Sequence, residues 1–98
     1  MFDKMKKMME MKKQADEIKK QLDAIEIEIH DVHGIKLRVS GSQTFKSIEI
    51  DEKHLTPANK DRLQKDLVRS LNAAIKKSQF QAAMKMKSVM PDGFPGLS

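Results

Sequence analysis

Between positions 25 and 50 apolar and polar residues alternate with a period of two. Ile25, Ile27 and Ile29 fall on one side, and Glu26, Glu28 and His30 on the other. Ile35, Leu37 and Val39 repeat the pattern against Lys36, Arg38 and Ser40, and Ile48 and Ile50 repeat it again. Alternation of this kind marks strands with one buried and one wet face. Turn-forming residues at 31–34 and 41–42 separate the runs. Connections this short join antiparallel neighbours, so a three-stranded meander is predicted. The wet faces of the first two strands carry opposite charge, which predicts cross-strand pairs of Glu28 with Lys36 or Arg38. Phe45 stands on the polar phase of the third run unless a bulge near Gln43 resets it, and the sequence leaves both readings open.

An apolar sheet face has to be covered, and both flanks read as helix. Met5, Met8, Met11, Ala15, Ile18, Leu22 and Ile25 recur every three or four residues, close to a coiled-coil seam. No Gly or Pro interrupts them, so a helix is predicted over 5–25 with Asp3 as its N-cap. Its length of roughly 30 Å exceeds a sheet face of about 20 Å. The Met-rich end should overhang, exposing Met5, Met8, Met9 and Met11 unless another chain packs on them. A homodimer is therefore expected, with Met5, Met8, Met11, Ala15 and Ile18 at its interface.

After the meander, Thr56 and Pro57 suit an N-cap and a first helical position. Leu63, Leu67, Leu71, Ala74, Ser78 and Ala82, widened by Val68 and Ile75, predict a helix running to about Lys87 with its apolar stripe on the sheet. Arg62, Lys65, Arg69 and Lys76 point about 160° away from that stripe. Two Pro and two Gly among 91–98 predict a flexible or extended tail. The expected fold class is α+β, in the order α-β-β-β-α, with a single domain over 1–90.

Composition narrows the function. The chain has 98 residues, enough for one domain with a thin core. It has no Cys, Trp or Tyr, which removes disulfides and thiolate chemistry. No apolar run approaches the roughly 20 residues that cross a bilayer, and no secretory signal is visible, so the chain is most simply cytosolic. Four scattered glycines form no phosphate-cradling loop. His30 and His33 alone are a weak metal signal, and Glu26 and Glu28 beside Lys36 and Arg38 read as surface charges. No enzyme activity, metal, cofactor or small-molecule substrate is expected.

The net charge of +5 is unevenly spread: positions 57–87 carry eight basic residues against two acidic ones. That segregation points to a polyanion. Arg62, Lys65, Arg69, Lys76 and Lys77 are the first candidates for phosphate contacts, and Lys6, Lys7, Lys12 and Lys13 on the overhanging helix the second. Two rivals use the opening helix instead. Its Met row could dock protein clients, or its Lys/Met surface could lie on an anionic membrane; the polyanion reading has no membrane partner.

The ordered set of elements resembles the YbaB/EbfC family of nucleoid-associated proteins. The likeness is carried by the Met/Lys/Gln-rich opening helix, by Ile35-Lys-Leu-Arg-Val-Ser-Gly41, by Ser47-Ile-Glu-Ile-Asp51 with Leu55 after it, and by the Pro/Gly/Phe segment at 91–95. It covers nearly the whole chain. The hairpin turn at 31–34 is shorter than the Gly-rich loop common in that family. The resemblance implies a homodimer in the cytoplasm and nucleoid that binds double-stranded DNA with little sequence preference.

Overall fold

The computed structural model describes residues 2–89. The expected tail at 91–98 lies outside them. Helix α1 spans Phe2–Ala24, strands β1, β2 and β3 span Glu26–Ile29, Ile35–Ser40 and Phe45–Ile50, and helix α2 spans Lys60–Val89. The strands form one antiparallel sheet in the order β1-β2-β3, so the predicted α+β order holds.

Three cross-strand rows make the apolar face. Ile27, Val39 and Phe45 form one, Ile29, Leu37 and Ile48 the next, and Ile35 with Ile50 the last. Directly opposed residues share a face. Phe45 joins this face because a bulge puts Lys46 between the partners of Arg38 and Val39. The bulge therefore sits two residues beyond the turn, although Gln43 does take a left-handed conformation with φ 64°. The opposite face carries the predicted charge pairs: Glu28 Oε1 lies 3.1 Å from Arg38 and 3.4 Å from Lys36.

Helix α2 covers β1 and β2. Its buried residues are Ser70, Ala74 and Ser78, four apart and hence on one face. Ala74 and Ser78 of the expected stripe are thus buried, joined by Ser70, while its leucines stand to the side. The helix line nearest the sheet has room only for small side chains, and Leu63, Leu67 and Leu71 pack as half-buried shoulders on the core. Val68 does not widen the buried stripe, being 59% exposed. At the end of the sheet Ser78 Oγ donates to the Ser40 carbonyl at 2.7 Å in a buried hydrogen bond. The turn at 31–34 is less wet than expected, because Val32 is buried in the core.

Helix α2 is preceded by a 3-10 turn, Pro57–Asn59, and Thr56 takes the N-cap position without a side-chain cap bond. Helix α1 begins at Phe2, so Asp3 lies inside its first turn rather than at the cap. There its charge faces the positive end of the helix dipole. Ile25 falls between α1 and β1. The last turn of α1 is held by the β2–β3 connection: the Gly41 N–H donates to the Leu22 carbonyl at 3.0 Å, Ser42 Oγ donates to Asp23, and Lys46 Nζ reaches the Asp23 carbonyl. A Cβ on Gly41 would meet the Leu22 carbonyl at 3.0 Å and the Ile25 side chain at 3.2 Å, so any larger residue would have to push the end of α1 back. The rest of α1 has no buried residue. It extends past the sheet, and the molecule measures 65 × 21 × 19 Å.

Leu37 is fully buried at the centre of the sheet. Leu37→Ala is expected to lower stability by about 2–5 kcal/mol in urea denaturation; a loss under about 1 kcal/mol would contradict a core centred there. Glu28 makes a second, pH-dependent test. The hydrogen bond with His30 first, and then the charge of Lys36, hold its carboxyl below the ordinary range against an opposing effect of burial, with Arg38 adding a lesser pull downward. A carboxylate with a lowered folded pKa stabilises above its unfolded pKa and loses that contribution as pH falls through the folded one. The small stability difference between wild type and Glu28→Gln should therefore be present at neutral pH and be lost as pH falls below the ordinary carboxylate range. A difference that grows on acidification would contradict the assignment.

Candidate nucleic-acid interface

Helix α2 turns its small-residue line inward and its basic line outward. Lys65, Arg69, Lys76 and Lys77 come together along one open groove of about 620 Å³, whose wall is completed by Val68, Asn72 and Asp31. Spacings of four and seven bring Lys65, Arg69 and Lys76 to one side of a helix, with Lys77 next to them. The groove is open to solvent, and four cations border it. That suits a chain of phosphates better than a small enclosed ligand.

Ion pairs modulate the charge. Asp66 lies 3.9 Å from Arg62 and 3.6 Å from Arg69, within the helix. Lys77 Nζ lies 2.8 Å from Asp31 Oδ1, linking α2 to the first hairpin turn. Lys65 and Lys76 have no ion-pair partner among the described residues. Arg62 stands one turn before the groove and does not line it, though its side chain is largely exposed.

The other predicted residues lie apart from this groove. Lys6, Lys7, Lys12 and Lys13 are exposed on α1. Met5, Met8, Met9 and Met11 are exposed on the same helix, Met8 to 70%, as the overhang predicts. Ala15 is exposed and Ile18 half-buried. A second apolar surface was not anticipated. The row residues Phe45 and Ile48 on β3, with Leu55 just beyond, remain exposed, Ile48 to 49%, because α2 covers the other two strands. Sequence reasoning also missed Asp31 and Asn72 in the groove. Asn72 lies on α2 between Arg69 and Lys76, so its helical phase could have found it. Asp31 is 46 positions from Lys77, and no local signal joins them.

Fold and groove together define a small α+β protein with cations gathered along the outward face of one helix. The family model of the YbaB/EbfC DNA-binding family matches residues 1–94. The chain belongs to that family of DNA-binding, nucleoid-associated proteins. Comparison with curated proteins gave no match. No helix among the described residues is long and apolar enough to cross a membrane.

Proposed function

We propose that the protein binds double-stranded DNA as a homodimer, through phosphate contacts made by the outward face of α2 and with little preference for sequence. The convergence of Lys65, Arg69, Lys76 and Lys77 on one groove carries this reading. Arg62 extends the same face, and Lys6, Lys7, Lys12 and Lys13 offer further contacts from α1. Lysine and arginine bound to phosphate release condensed counterions, so affinity depends on salt rather than on base sequence. Such a protein would work on DNA in the cytoplasm, at the nucleoid, and would influence nucleoid organisation and gene expression by occupancy.

A second copy is the partner we assign to the exposed apolar surfaces. The row Met5, Met8, Met11, Ala15 and Ile18 on α1 supports this, as does the strip of Phe45, Ile48 and Leu55, whose β3 is also an edge strand with free backbone groups. Two-fold symmetry would double the basic face. The exposed Met row also favours a second reading, a docking site for protein clients. That reading requires client binding that persists at about 0.5 M salt, where phosphate contacts are largely lost.

Fluorescence anisotropy on two unrelated duplexes across a salt series should give equal affinities and a steep negative slope. Arg69→Glu with Lys76→Glu should weaken binding by more than about tenfold at low salt. Unchanged binding by that variant would show that the groove is not the site. In sedimentation velocity the wild type should run as a dimer, and Met8→Asp with Ile48→Asp should shift it toward monomer. A wild-type monomer at the concentrations that saturate DNA would refute the dimer.

A further inference from the structure

The groove has one acidic wall residue, Asp31. Its carboxylate holds the Lys77 ammonium at 2.8 Å, the distance a charge-assisted bond to a phosphate oxygen would have. Asp31 thus stands as an internal anion where DNA would place one of its own. The pair contributes little to the fold. Both side chains are partly exposed, 41% for Asp31 and 49% for Lys77, and exposed pairs are weak. The turn that carries Asp31 is firmly seated, however. Its neighbour Val32 is buried, and the Ile35 N–H donates to the Val32 carbonyl at 3.1 Å. Asp31 can leave Lys77 by turning its side chain, while its backbone stays in place.

The Asp66 contacts differ in kind. They join residues one turn apart on the same helix at 3.6–3.9 Å, and they leave most of each guanidinium open to solvent.

We propose that Asp31 is an affinity-setting residue of the DNA groove. It occupies Lys77 in the free protein and repels the phosphate that would replace it, so Lys77 contributes to binding only when that contact is broken. The inference rests on the groove being the DNA site. Its consequence is deliberately weakened binding: one phosphate contact fewer per protomer, faster dissociation, and redistribution along DNA in place of tight occupancy.

The test is an anisotropy salt series on one duplex with the full chain. Asp31→Asn removes the charge and keeps the shape. Glu52→Gln makes the same charge change in the 3-10 turn Glu52–His54, outside the groove wall. Asp31→Asn should tighten low-salt binding at least about fivefold, the effect of one unit-charge contact near 4 Å in water. It should also steepen the logarithmic salt slope by about one per protomer. Glu52→Gln, at a residue that does not line the groove, should change affinity less than about twofold, since it removes no charge in contact with Lys77. In a Lys77→Gln background the gain from Asp31→Asn should disappear. Equal effects of Asp31→Asn and Glu52→Gln would overturn the inference, as would a gain that survives Lys77→Gln. Arg69→Glu with Lys76→Glu distinguishes the two levels. If that variant abolishes binding while Asp31→Asn changes nothing, Asp31 alone is misassigned. If it leaves binding intact, the groove reading fails and the role of Asp31 fails with it.

Discussion

The contact of Ser70, Ala74 and Ser78 with the sheet decides how the molecule is arranged. Small side chains bring α2 close over β1 and β2, and the Ser78–Ser40 hydrogen bond fixes its position along the strands. A helix seated this way has a determined rotation. Its basic residues must face outward, and Lys77 must come down beside the turn that carries Asp31. One helix is also too narrow to cover three strands. Strand β3 therefore keeps an apolar face in water, a cost of roughly 25 cal/mol for each Å² left uncovered. The same placement that builds the groove thus leaves a surface suited to a partner.

Charge is arranged on two scales. On the outer sheet face Glu26, Glu28, Lys36 and Arg38 neutralise one another, so that face has little attraction for a polyanion. On α2 the acids end with Asp66, and of the cations beyond it only Lys77 has an ion-pair partner outside the helix among the described residues, Asp31. The contrast separates a balanced surface from a binding surface better than the net charge of +5 does. Helix α1 adds length. Anchored at Leu22 and Asp23 by the β2–β3 turn, it carries lysines and methionines well beyond the sheet, where both nucleic acid and a second copy are within reach.

Most of the fold was legible because its signals are local. Period-two alternation located the strands, seam spacing located α1, and Thr56-Pro57 located the start of the second helical region. The cross-strand partners of Glu28 followed from register alone. What escaped depends on contacts distant in sequence. Ser70 looks polar, and only the closeness of α2 to the sheet makes it core. Val32 looks like a turn residue until the hairpin turn packs beside α2. The bulge at Lys46 could not be placed because either phase satisfied the pattern. The basic groove was read from helical phase, whereas Asp31 entered it through tertiary packing. The Met row was expected to be exposed and is; the β3 strip was not expected, since the two helical flanks were expected to cover the sheet face between them.

The central claim is that DNA lies along the outward face of α2. Its most direct test is an amide chemical-shift titration of isotopically labelled full-length protein with a short duplex. The account predicts that the largest changes cluster at Lys65, Arg69, Asn72, Lys76 and Lys77, with Asp31 moving alongside them. Changes confined to α1 or to β3, with α2 silent, would contradict it.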